Sequence, residues 1–169
     1  RYACSLLNTI LGGNMSSRLF QEIRERRGLA YAVYSFISSH VDTGMFGFYM
    51  GVDPKRARET TRLVLNELDI IKDEPVDLDE LEGAMEYTKG SLLLASESAD
   101  NQMVRCAQNE IHFGNEVRLQ DIIQKIEAVT PQDIQELAND LFERNQMTLT
   151  LLGPLDTAKE AFEEILYQN

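Results

Sequence analysis

A chain of 169 residues suits a single domain over residues 1–169 and can bury about 70% of its unfolded surface, enough for a true core. Apolar residues at 43% and charged residues at 26% make a globular balance, and a net charge of −12 excludes a general nucleic-acid binder. No apolar run approaches the roughly 18 residues of a membrane span, and no signal-peptide pattern opens the chain.

The first residue is Arg1 rather than Met, so the chain is expected to be a piece of a longer parent. Charge is uneven along it. Residues 18–62 hold eight Lys/Arg against five Asp/Glu, whereas residues 63–169 hold seven against 23. The acidic back half reads as a solvated surface; the sharper reading is that the front half faces something. Cys4 and Cys106 form no CxxC pair and read as two small buried thiols of a reducing compartment.

In chain order, residues 2–11 read as a helix with Leu6, Leu7, Ile10 and Leu11 on its apolar side, stopped by Gly12-Gly13. Asn14 or Ser16 caps a second helix, on which Leu19, Phe20 and Ile23 share a face. It ends at Gly28, with Leu29 folding back onto Ile23. Arg26 and Arg27 stand in its last turn, where the helix dipole favours cations by about 0.3–1 kcal/mol each. Arg24 has no such explanation. It lies beside Phe20 on the border of the apolar stripe, placed to reach across into a cleft.

Residues 30–40 and 44–52 read as a hairpin around Asp42-Thr43-Gly44. Its second strand, "GMFGFYMGV", is apolar on both faces, which predicts a well-covered sheet. Asp53-Pro54 starts a helix to about residue 72 that buries Ala57, Val64, Leu68 and Ile71. Asp77-Leu78-Asp79-Glu80 resembles a capping box and opens a long helix to about residue 95. Helices follow over about 101–113, closed by Gly114, over about 119–129, and from Thr130-Pro131 onward. "QMTLTLLG" alternates as a third strand, and a last helix covers about 157–167. The order predicts an α+β fold, helices layered on a mainly antiparallel sheet. Three strands are few for this many helices, so a further strand is expected upstream of Arg1.

Complete catalytic sets are missing from the sequence. His40 and His112 are the only histidines, and neither has a second His or Cys at ligand spacing, so no metal site is expected in this chain. GxSxG and Walker loops are absent, and Gly12-Gly13 follows a helix rather than a strand, the wrong context for a dinucleotide loop. Arg24 and Tyr31 remain. Arginine offers a fixed fork of donors that stays charged, and tyrosine adds one donor on a rigid ring. Converging on one point, they could hold a peptide carbonyl and the oxyanion formed when water attacks it. One such donor is worth about 2.7–4 kcal/mol of transition-state stabilisation. The plainer reading of the two is a solvated arginine and a half-buried sheet tyrosine.

The stretch "LGGNMSSRLFQEIRERRGLAYAVYS" resembles the insulinase/pitrilysin family of zinc peptidases, in its mitochondrial-processing-peptidase-like bacterial branch. The likeness is to the family's C-terminal, non-zinc domain. It continues through "DTGMFGFYMGVDPKR", "LDELEGAMEYTKGSLLLASESADNQMVRCAQNEIHFG", "IEAVTPQDIQELANDLF" and "MTLTLLGPL", almost the whole chain.

The resemblance implies two homologous α+β domains facing each other across a chamber. The N-terminal domain, absent from this sequence, would carry an inverted HxxEH motif, the zinc ion and the general base. This domain would supply an Arg–Tyr pair, matched here by Arg24 and Tyr31, and a Gly-rich substrate-contacting segment, matched by Gly12, Gly13 and Asn14. Asn14 stands where many relatives have a third glycine. The implied partners are the N-terminal zinc domain, a peptide substrate and a second copy of the parent. The implied compartment is the bacterial cytoplasm. Two other readings stand beside this one: a non-catalytic partner or structural subunit of the same fold, and an unrelated binding module with an acidic surface.

Overall fold

The computed structural model describes residues 1–40, 42–154 and 159–167. Helix α1 (Tyr2–Leu11) lies at the centre. Its Leu6, Leu7 and Leu11 are fully buried and Ile10 nearly so. This is the face that the spacing of four aliphatics demands. After a short loop comes a helical segment, then strands β1 (Ala30–Ser39) and β2 (Gly44–Val52). Helices α2 (Ala57–Asp73), α3 (Leu78–Ser96), α4 (Ala99–Phe113), α5 (Leu119–Glu127), α6 (Pro131–Leu141) and α7 (Lys159–Tyr167) complete the chain. The fold is α+β, as the element order predicts: helices layered on an antiparallel hairpin.

Local chemistry accounts for most boundaries. Asp53 accepts the Lys55 N–H at 2.8 Å and Pro54 occupies the first turn leading into α2. Ser98 caps α4, and Gly114, at φ 63°, ends it in the left-handed region. Thr130 and Asp133 form a reciprocal capping box on α6. The core joins α1 to Val64, Leu68 and Ile71 of α2, Ile126 of α5 and Ile134 of α6. The buried Thr9 and Thr88 hydroxyls pair with each other there, 3.3 Å apart.

Four expectations are corrected. The box at residues 77–80 is only half formed. Asp77 accepts the Asp79 N–H at 2.9 Å, but Glu80 turns away to take a two-pronged bond from Arg18, at 2.8 and 2.6 Å. A charged fork outbids a single backbone donor. The stretch 147–151 alternates in burial as far as residue 150, with Met147 and Leu149 against the core and Thr148 and Thr150 exposed, yet pairs with no strand among the described residues. Alternation directs side chains; a strand also needs a partner for its ladder. The hairpin is covered on one face only. Phe46 and Phe48 pack on Phe142, with ring centroids 5.4 and 5.9 Å away, while Tyr34, Phe36, Met45 and Tyr49 are exposed on the other side. Finally, both cysteines are free, but only Cys4 is partly buried, its thiol pKa raised by desolvation, and Cys106 is exposed. Of the last predicted helix, residues 157 and 158 lie outside the described residues.

Candidate functional site

Arg24 sits on a π-helical segment, Phe20–Arg26, where an ordinary α-helix is expected. Such wide turns, bonded i→i+5, are rare and gather at functional sites. Gly28, at φ 60°, closes the segment. The Leu29 N–H reaches back to the Ile23 carbonyl at 2.9 Å, one residue further than an α-helical cap would reach. Leu19 and Ile23 are fully buried and anchor the inner side.

The three arginines are not equivalent. Arg26 and Arg27 both donate to Glu22, with closest approaches of 3.2 and 2.6 Å. Arg27, and after it Arg26, holds the Glu22 carboxyl below its ordinary range. Arg24 stands apart. Its guanidinium lies 5.0 Å from the Phe20 ring centroid, and its nearest carboxylate oxygen, on Glu25, is 4.0 Å away. The ring supports the guanidinium plane without using its N–H groups, so the fork remains open to an incoming acceptor.

Tyr31 owes its position to a backbone irregularity. The hairpin pairs Ala30 with Val52 and Ala32 with Gly51, leaving Tyr31 as the extra residue of a β-bulge. A bulge re-aims one side chain against the regular alternation. The ring then lies over Gly51, where a Cβ would stand 2.3 Å from Cζ. Hydrogen bonding to Tyr31 pushes the Tyr49 phenol up. Tyr31 is 73% exposed. It shares its side of the sheet with Tyr34 and Tyr49, stacked at 5.0 Å, and with Phe36, whose ring covers Gly47. Arg24 and Tyr31 thus present donors from the two segments that flank the Gly28 turn, with no contact to each other.

Gly12, Gly13 and Asn14 are placed differently. None has a positive φ. Gly12 is buried where α1 meets the middle of β1: its carbonyl accepts the Ser35 N–H at 3.2 Å, and a Cβ would come within 2.4 Å of that nitrogen. Gly13 is exposed, but a Cβ there would meet the α1 backbone at Thr9, 2.8 Å away. Asn14 accepts the Ser16 N–H at 2.7 Å and borders a cleft of about 490 Å³ with Met15, Glu80 and Tyr87. Among the described residues no group of three or more His, Cys, Asp or Glu side chains could hold a metal, and no helix is long and apolar enough to cross a membrane.

Sequence reasoning missed the bulge and the π turns, which leave no local signature. It also missed the exposed aromatic side, although Tyr34 and Phe36 stand two residues apart opposite Gly47 and Tyr49.

The family described as Peptidase M16 inactive domain matches residues 1–87. An uncharacterized zinc protease of Streptomyces coelicolor is 39% identical over 92% of the chain and 34% of its own length. The uncharacterized zinc protease YmxG of Bacillus subtilis is 39% identical over 90% of the chain and 37% of its own length. The crystal structure of a peptidase M16 inactive domain from Pseudomonas fluorescens superposes with a TM-score of 0.72 at 25% identity, covering 83% of this chain and 34% of that one. The chain spans about a third of the length of these relatives. On this match and the shared fold, the chain belongs to the peptidase M16 inactive-domain family, as its C-terminal, non-zinc domain.

Proposed function

We propose that this domain is the substrate-clamping half of a bacterial, cytoplasmic zinc endopeptidase that hydrolyses peptides or unfolded segments. The metal and the general base belong to the N-terminal domain of the parent. This chain's part is to hold the substrate carbonyl and the oxyanion that replaces it, with the Arg24 guanidinium and the Tyr31 hydroxyl as donors. The observation that carries the reading is the contrast among three neighbouring arginines: Arg26 and Arg27 are tied to Glu22, while the Arg24 fork is held open on a ring. The re-aimed Tyr31 and the exposed aromatic side beside it support the same reading, since an extended peptide needs donors and apolar surface together.

The test is steady-state turnover of a peptide by the parent protein. Arg24→Ala is expected to lower kcat/KM by about 10²–10³, the loss of one oxyanion donor. Tyr31→Phe is expected to lower it as well. Both variants should keep the wild-type unfolding midpoint. Wild-type turnover in both would refute the clamp.

A further inference from the structure

A groove of about 660 Å³ opens between the end of the π-helical segment and the first turns of α2. Arg27, Lys55, Arg58 and Arg62 line it, against a single carboxylate, Glu59. The spacing of Lys55, Arg58 and Arg62 puts them on one helical face. Such a cluster stands out in a chain of net charge −12.

Arg27 is already paired with Glu22, but the other three cations are poorly neutralised. Glu59 is engaged by Arg56 at 3.0 Å. Arg58 has only a long contact to Glu164, 3.8 Å, and its Nε is buried without an acceptor. Lys55 and Arg62 are exposed and have no ion pair among the described residues. Like charges held this close repel one another, and an anion placed among them relieves that repulsion.

The groove also adjoins the clamp. Arg27 and Lys55 each stand three residues from a member of the Ala30–Val52 pair, which closes the hairpin beside Tyr31. Chain continuity therefore puts the groove at the end of the hairpin that carries Tyr31.

We propose that this groove binds the side-chain carboxylates of an acidic peptide segment, and that it biases the domain toward substrates with Asp or Glu flanking the held carbonyl. The occupant rests on the peptide-binding reading above; the anion preference rests on the groove itself.

The test is direct binding by the 169-residue chain, read as fluorescence anisotropy of a labelled peptide of alternating Glu and Ser. A second probe has every Glu replaced by Gln. The Glu probe is expected to bind at least tenfold more tightly, and its affinity to fall as salt is added. Lys55→Glu with Arg62→Glu should abolish the difference while circular dichroism stays unchanged, and Arg62→Gln should weaken it. Equal binding of the two probes, or an unchanged preference in the double variant, overturns the proposal. So does displacement of the Glu probe by inorganic phosphate at equal charge, or sedimentation showing that these cations pair the chain with a second copy. The readout does not depend on turnover. A preference for Glu with wild-type turnover in both the Arg24→Ala and Tyr31→Phe parent proteins would keep the groove and overturn the clamp; the opposite pattern would keep the clamp and overturn the groove.

Discussion

Arg24 and Tyr31 both stand on departures from regular structure, one on wide helical turns and one as an extra strand residue. Glycines decide whether such departures fit. Gly51→Ala would set a Cβ 2.3 Å from the Tyr31 ring, whose far end can swing away. Its expected effect is a loss of parent turnover with little change in the unfolding midpoint, read by assaying both on one preparation. Gly12→Ala is different, because its Cβ would meet backbone nitrogen at 2.4 Å and nothing there can yield. It is expected to destabilise the domain by about 1–3 kcal/mol, measured by urea unfolding. Gly12 is thus a packing residue in this fold, and a contact with substrate would have to come through Gly13 or Asn14.

Among elements, the Arg18–Glu80 fork ties the loop after α1 to the first turn of α3, with 19% and 32% of the two side chains exposed. Glu80→Gln is expected to cost about 1.5–3 kcal/mol, the range for a hydrogen-bonded charge. Urea unfolding of the variant checks it, and Asp79→Asn, with no such partner, serves as the control. Acid should loosen other junctions. The Glu22 carboxyl is depressed by Arg27, and that of Asp133 by the Thr130 backbone N–H and hydroxyl. The unfolded chain takes up these protons at a higher pH than the folded one. The stability they contribute is therefore complete above the ordinary carboxylate pKa of about 4 and is lost as pH falls through the lowered folded values. Urea midpoints should decline from pH 6 to pH 3, and less steeply in Glu22→Gln with Asp133→Asn.

At the scale of the whole molecule, charge and apolar surface are both polarised. Acidic residues crowd the back half, and the basic groove is lined by Arg27, Lys55, Arg58 and Arg62 of the front half. With a pI near 4.6 the chain should be least soluble close to that pH, where self-repulsion vanishes. Turbidity across pH 3–7 measures this, and a turbidity maximum elsewhere would mean that the exposed aromatic side rather than net charge governs association. The helices cover only one face of the hairpin, leaving Tyr34, Phe36 and Tyr49 facing away from the core. In the proposed parent that side belongs to the peptide chamber.

Most helix positions and buried faces, and the caps at Gly114 and Thr130, were legible in the sequence because they depend on neighbours within a few residues, whereas neither Asn14 nor Ser16 caps the second helix. Leu6, Leu7, Ile10 and Leu11 share a stripe wherever a helix forms, Gly114 ends α4 through its own backbone, and Thr130 with Asp133 closes a box three residues long. The family was legible too, as a resemblance carried by the stretch that holds Arg24 and Tyr31. What only the tertiary structure decided is what distant residues settle between them. Glu80 chose Arg18, 62 residues away, over its own helix cap. The stretch 147–150 kept its alternation without a ladder, since pairing needs a second strand. Tyr31 became a bulge residue only through its register with Gly51. The four cations of the groove come from two segments nearly thirty residues apart, joined only when the hairpin brings Arg27 beside Lys55.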